Sequence, residues 1–319
     1  MTKAMVIAKS PSSLPIPVTI AGAGEKASWR FVEFFTANIR NKNTRAAYAR
    51  AVAAFYAWCE ERGQDFLTLN PVVVAGYVEQ LMADGMARPT VKQHLAAIRM
   101  LFDYMVTGGI LPFNPAASVR GPKHVVKRGK TPVLQPDEAR ALLNSIDTSA
   151  AAGLRDRALI GVMVFTFARV SAVVGMDVAD YYQQGKRWWL RLAEKGGKAH
   201  ALPVHHKAEE YLDEYLAALG NPLKGPLFRA MTRERGLGNN RLSRIDAFRM
   251  VKRRCAAAGL GTTPNCHTFR ATGITAYLLN GGNIEGAQAI AAHESPRTTK
   301  LYDRTSDEIT LDEIERIAI

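Results

Sequence analysis

The sequence predicts a mainly α protein with a small β-sheet, made of an all-helical N-terminal domain and a C-terminal domain of mixed α+β character. Three observations predict it. From Ala27 to about Gly109 the apolar residues recur at helical spacing, and no strand-like alternation is needed. A stretch rich in Pro, Gly, Lys and Arg follows, without any repeat. Beyond Thr131, helical patterns enclose two short β-prone runs, RWWLRLA and HALPVHH, joined by the turn EKGGKA.

Taken in order, residues 1–25 hold Pro, Ser and Gly in place of a periodic pattern and read as a flexible arm. Residues 26–118 form the helical domain, with breaks at Asn41–Thr44, Gly63–Pro71 and Gly85–Pro89 that separate four helices. The second helix places Tyr48, Val52, Phe55, Tyr56 and Cys59 on one stripe, which makes these aromatics core residues. The fourth opens at Pro89 and closes at Gly108–Gly109; Val91, Leu95, Ile98, Leu101, Phe102 and Met105 face inward, and Lys92, Gln93 and Arg99 outward.

The run LPFNPAASVRGPKHVVKRGKTP has the composition of an exposed basic connection, and the linker proper is placed at residues 119–131. Residues 132–319 make the second domain. Its helices are expected at QPDEARALLNSI, LRDRALIGVMVFTFA, KAEEYLDEYLAAL, RLSRIDAFRMVKRRCAAAG, HTFRATGITAYLLNGG and NIEGAQAIAAH. In RLSRIDAFRMVKRRC, an inward stripe of Ile245, Phe248, Val251 and Cys255 leaves Arg249, Lys252 and Arg253 or Arg254 projecting outward, a face suited to phosphate contacts.

Charge points to a polyanionic partner. Lys and Arg number 42 against 29 Asp and Glu, a net charge of +13, with an isoelectric point near 9.8. The C-terminal segment from Asp303 holds six acidic residues against two arginines, so residues 1–302 carry +17. Cys59, Cys255 and Cys266 are far apart and in no CxxC arrangement, which excludes a disulfide framework or zinc knuckle and suits a reducing cytoplasm. No run approaches 18 apolar residues, so no membrane partner is expected. No GxxxxGK[ST] loop, HExxH or carboxylate cluster occurs, so no cofactor, ATP or metal is expected.

Four sites in the second domain carry possible chemistry: Arg169 after an apolar helix, Lys195 in the hairpin turn, His267-x-x-Arg270 at a helix start, and His293 nine residues before Tyr302. Each alone has an ordinary reading, as a solvated cap, an exposed turn lysine, a polar helix face or a core tyrosine. His267 and Arg270, three apart in a first turn, project from one face, where free backbone N–H groups and the helix dipole also favour an anion.

In order and spacing, Arg169, Lys195, His267-Thr268-Phe269-Arg270, His293 and Tyr302 resemble the signature of the tyrosine recombinases of the phage integrase class. FARVSAVVGMDVADYY is similar to that family's first box and AAHESPRTTKLYDR to its last, and NTRAAYARAVAAFYAWCEERG and PTVKQHLAAIRMLF to its core-binding domain. The resemblance spans residues 27–317 and implies a SAM-like core-binding domain followed by the recombinase catalytic domain. It departs at two places: an acidic residue common three after the first Arg is Ala172 here, and Leu-Gly before the His is Ala291-Ala292. The missing carboxylate predicts a looser Arg169.

The resemblance implies strand cleavage by Tyr302, forming a 3′-phosphotyrosine and a free 5′-hydroxyl. Arg169, Arg270 and His293 would stabilise the phosphorane, His267 would take the phenolic proton, and Lys195, with Lys198 as second candidate, would protonate the leaving oxygen. It also implies double-stranded DNA sites as partner, with Lys92, Gln93, Arg99, Lys252 and Arg253 against the duplex, a monomer when free and a homotetramer on synapsed DNA. The C-terminal segment, with Ile309, Ile314 and Ile317, would dock onto a neighbouring protomer. Type IB topoisomerase-like relaxation and an inactive DNA-binding relative are the alternative readings.

Overall fold

The computed structural model describes residues 15–126, 129–194, 197–234, 236–260, 264–303 and 315. The chain divides between Val125 and Val126 into two compact units.

Among the described residues the regular elements of the first unit are all helical: α1 (Val18–Gly22), α2 (Glu25–Glu33) running into a π-helical turn at Phe34–Asn38, α3 (Lys42–Glu61), α4 (Pro71–Ala83) and α5 (Arg88–Thr107). Asparagines start two of these helices. Asn41 Oδ1 accepts from the backbone N–H of Asn43 and Thr44 at 2.9 and 3.1 Å, and Asn70 Oδ1 from Val72 and Val73 at 3.0 and 3.2 Å. The expected stripes are buried, with Phe55, Tyr56, Phe66 and Phe102 fully enclosed and Phe55 edge-on to both Tyr77 and Phe102.

Two expectations change here. The arm ends earlier than residue 25, because α1 forms within it and Ile20 is completely buried. The run after α5 is also not all exposed: Leu111, Ala116 and Val119 belong to the core. Arg99 accounts for this. Its guanidinium turns onto the loop, donating to Ala116 O at 3.1 Å and Val119 O at 2.5 Å, so it does not project outward as its helical position suggested. Irregular backbone buried against a helix needs such donors for its carbonyls. Lys92 and Gln93 are exposed as expected.

The second unit runs α6 (Pro136–Asn144), α7 (Ala151–Phe165), α8 (Val170–Gly175), β1 (Tyr181–Gln184), β2 (Arg187–Ala193), β3 (Ala199–Pro203), α9 (His206–Ala218), β4 (Arg229–Met231), β5 (Leu237–Arg241), α10 (Arg244–Ala257), α11 (Cys266–Leu279), α12 (Ile284–Ile290) and α13 (Pro296–Lys300). The expected β2–β3 hairpin gains β1 as a third antiparallel strand, with Leu190 paired to Tyr181 and to Leu202. A second hairpin pairs β4 with β5. The strands β1, β4 and β5 leave no signal in the sequence, because YYQQ, RAM and LGNNR are too short and too polar to show alternation.

Helix α7 is central, with Ala158, Leu159, Ile160, Val162 and Met163 all fully buried. A helix apolar on every side has to be surrounded. Its buried Asp156 accepts from Arg155 through Oδ1 and from Arg254 through Oδ2, at 2.6–3.0 Å, which fixes α10 against α7.

That ion pair also corrects the reading of α10. Its buried residues are Ala247, Met250, Val251 and Cys255, while Ile245 and Phe248 are 63% and 44% exposed. The helix is rotated about one residue from the expected stripe, because Asp156 draws Arg254 partly inward. Arg253 stays exposed, and Lys252 Nζ lies 5.6 Å from the centre of the Phe248 ring.

Helix α11 crosses α7 closely. A Cβ on Gly273 would lie 2.1 Å from Val164 O and 2.7 Å from the Phe167 ring, so only glycine permits the contact. That approach carries Arg270, one turn earlier, to the end of α7.

Candidate active site

Five of the six chemistry-bearing residues expected from the sequence come together in the second unit, and the sixth, Lys195, lies outside the described residues. Asn265 caps α11, its Oδ1 accepting from His267 N at 2.8 Å, and this sets His267 and Arg270 in the first turn. Arg169 stands immediately before α8. Tyr302 follows α13 and is 7% exposed, its carbonyl accepting the Thr275 hydroxyl of α11 at 3.0 Å.

The Tyr302 hydroxyl is 2.6 Å from His267 Nε2, a short hydrogen bond between neighbours 35 residues apart in sequence. The His293 ring stacks near the Tyr302 ring, with centroids 5.7 Å apart and planes 11° from parallel. Below them Phe167, Ala271, Ile274, Leu278, Ala287 and Ala291 form an apolar floor.

Arg270 is completely buried and held by main chain rather than by a carboxylate. Its Nη1 donates to Phe167 O, and its Nη2 to Ala291 O at 2.7 Å. Burial, and then the nearby charge of Arg169, lower its pKa to about 10, so it remains a cation at neutral pH. Arg169 is partly exposed and pairs through Nη1 with Glu194 Oε2 at 2.5 Å. The Ala at position 172 predicts a loose Arg169, but Glu194 supplies the carboxylate instead; its only linear signal is that it precedes Lys195.

Both imidazoles are biased toward the neutral form. For His267, desolvation of the ring, then Arg270 and Arg169, pull the pKa below its ordinary value, although the residue as a whole is exposed. For His293, burial and the same two arginines pull it down to about 3. His293 Nδ1 lies 2.9 Å from the Thr299 hydroxyl. When Thr299 donates, the ring proton sits on Nε2. That nitrogen and Arg270 Nε are both buried and make no hydrogen bond among the described residues.

Two non-glycine residues with positive φ flank these contacts, Phe167 at 55° and Ala292 at 47°. Each turns the chain where Arg270 takes a carbonyl, at Phe167 itself and at Ala291. Left-handed backbone costs an alanine roughly 1–2 kcal/mol, offset in part by the greater unfolded-state freedom of glycine. Ala292→Gly is therefore expected to raise stability by up to about 1 kcal/mol in a urea unfolding titration.

Of the residues expected to contact a polyanion, Lys92, Gln93 and Arg253 are exposed and Lys252 is partly so. Arg99 is committed to its loop. Among the described residues no group of three or more His, Cys, Asp or Glu could hold a metal, and no helix is long and apolar enough to cross a membrane.

Comparison with known proteins agrees with this geometry. Residues 30–109 match the N-terminal SAM-like domain of phage integrases, and residues 132–308 match the phage integrase family. Tyrosine recombinase XerC of Mycobacterium sp. (strain KMS) is 29% identical over 273 residues, covering 82% of this chain and 88% of that protein. Tyrosine recombinase XerD of Listeria monocytogenes serotype 4b (strain F2365) is 26% identical over 265 residues, covering 82% and 87%. In fold, the chain is similar to lambda integrase (residues 75–356) bound as a dimer to a COC′ core site, with a TM-score of 0.67 at 20% identity over 88% of this chain and 97% of that one. It is also similar to XerH recombinase bound to difH, with a TM-score of 0.63 at 19% identity over 85% and 78%. With more than half of its length matched, and with a tyrosine, two arginines and two histidines gathered at one site, the chain belongs to the phage integrase family.

Proposed function

We infer that the chain is a site-specific tyrosine recombinase that cleaves and rejoins DNA through a 3′-phosphotyrosine at Tyr302. The observation that carries this is the 2.6 Å contact of the Tyr302 hydroxyl with His267 Nε2 beside two guanidiniums. A phenol ordinarily keeps its proton at neutral pH, so a nucleophilic tyrosine needs a base within hydrogen-bond reach. A histidine kept neutral by adjacent arginines is available as that base.

The surrounding donors fit a phosphodiester. Arg270 Nε and His293 Nε2 are buried without hydrogen-bond partners among the described residues, and an unsatisfied buried donor costs about 1–3 kcal/mol. Such atoms persist where a ligand completes them. Non-bridging phosphate oxygens supply the acceptors, and the pentacovalent phosphorane, with more negative charge, is bound more tightly than the ground state. As the Tyr302 oxygen bonds to phosphorus, its proton passes to His267 and the bond to the 5′-oxygen breaks. Lys195 is assigned to protonate that oxygen, with the exposed Lys198 as second candidate.

Double-stranded DNA is the partner, and the assembly proposed is a homotetramer on two synapsed sites; lambda integrase has been solved as a tetramer on a Holliday junction. Lys92, Gln93, Lys252 and Arg253 are assigned to DNA contact, and residues 306–319, largely outside the described residues, to docking between protomers. The cytoplasmic nucleoid is the proposed location.

Duplexes tiled across the DNA flanking the coding sequence test the reading directly. The chain is incubated with each, and complexes that survive denaturing electrophoresis are mapped. A covalent band from one duplex, released by protease as a 3′-phosphotyrosyl strand, is expected; a 5′-linked strand would overturn the assignment.

The pH dependence follows from His267. Its neutral form is the competent one and its pKa lies below the ordinary value of about 6.5. The single-turnover cleavage rate should therefore be level from about pH 7 to 8 and fall only on the acid side of that value. Arg169→Ala removes one of the charges that depress His267 and should move the acid limb to higher pH.

A further inference from the structure

We propose that Glu194 is the positioning residue for Arg169, the carboxylate that holds this guanidinium at the reacting phosphate; this rests on the reading of Tyr302 and its neighbouring cations as the strand-cleaving site.

Burial is asymmetric across the pair. The Glu194 side chain is 4% exposed and that of Arg169 31%, with Oε2 and Nη1 2.5 Å apart. The carboxylate is therefore the fixed inner partner, and the guanidinium reaches from it toward the open side. An enclosed carboxylate has to be compensated, and among the described residues Arg169 is its only ion-pair partner. Arg169 in turn makes no other side-chain hydrogen bond there, so one nitrogen is held and the remaining donors stay free for phosphate oxygens.

Like-charge repulsion shows what the carboxylate offsets. Arg169 lowers the pKa of Arg270 and Glu194 raises it. Arg270 is locked by two carbonyls and cannot retreat. Without Glu194, Arg169 is the partner free to swing into solvent. The other nearby position, Ala172 on α8, offers no side-chain acceptor.

Glu194 is itself fixed through its backbone. Its N–H donates to Lys198 O at 2.9 Å, and its carbonyl accepts from Gly197 N at 3.1 Å, closing the turn that follows β2. One residue thus connects the Arg169 guanidinium to the backbone of Gly197 and Lys198.

The sign of the expected effects separates positioning from simple charge. A carboxylate near a bound phosphate opposes DNA binding, so Glu194→Gln should bind DNA as tightly as the parent or more tightly. Its covalent attachment should nonetheless slow by about tenfold or more, as expected when one oriented transition-state donor is lost. The substrate is the duplex identified by covalent capture, nicked beside the cleaved phosphate so that product accumulates irreversibly. Rates at saturating DNA and dissociation constants are measured for the parent, Glu194→Gln, Arg169→Ala and the double variant. A positioning residue predicts that Glu194→Gln has less than a twofold effect once Arg169 is Ala. A rate within twofold of the parent for Glu194→Gln overturns the proposal, as does an equal loss in both backgrounds. If the Gln variant does not fold, Glu194→Asp, which keeps the charge one methylene shorter, replaces it under the same criteria. Tyr302→Phe is the control: a covalent band in that variant overturns the site reading instead and leaves the Glu194 comparison to be read against another nucleophile.

Discussion

Tyr302→Phe is expected to abolish covalent attachment to DNA while leaving DNA affinity nearly unchanged. The substitution removes one oxygen, the one hydrogen-bonded to His267 Nε2. The ring keeps its place over Phe167, Ala271 and Ile274, and the Tyr302 carbonyl keeps its bond from Thr275. Without that oxygen the site loses the nucleophile that His267 would activate. Denaturing electrophoresis of the trapped complex, with a filter-binding isotherm on the same duplex, measures both quantities. A persistent 3′-linked band would exclude Tyr302.

Arg270→Lys should be the next largest loss, about 100-fold or more in single-turnover cleavage although the charge is retained. The guanidinium spans two carbonyls, Phe167 O and Ala291 O, and keeps Nε for a ligand. An ammonium is a single point of donation that cannot bridge both carbonyls and still present an oriented donor. It also leaves one buried carbonyl unsatisfied, so a stability loss of about 1–3 kcal/mol accompanies the kinetic one. The rate is compared at a temperature where urea titration shows both proteins folded. A variant that is folded and cleaves within tenfold of the parent would show that charge alone suffices at this position.

Much of this protein is determined locally and is therefore legible in its sequence. The helical stripes of α3 and α5 are buried as their spacing dictates, because a 3.6-residue period fixes which side chains share a face. The caps at Asn41 and Asn70 are likewise short-range. The six chemistry-bearing residues are legible only as a set, because Arg, Lys, His, Arg, His and Tyr in that order and spacing resemble the tyrosine recombinase signature.

What only the tertiary structure decided depends on groups far apart in the chain. Arg99 faces outward by periodicity, yet a loop that buries its carbonyls needs a donor and draws it in. The stripe of α10 turns by a residue because Asp156, 98 positions away from Arg254, supplies a buried charge. Glu194 reads as a solvated turn residue until the sheet brings it under Arg169, and the positive φ at Ala292 is invisible in a residue type that normally avoids it. Sequence carries the period of each element and the chemistry of each side chain. The pairing of buried charges, donors and carbonyls across elements is set by packing, where the cost of leaving any of them unpartnered selects the final arrangement.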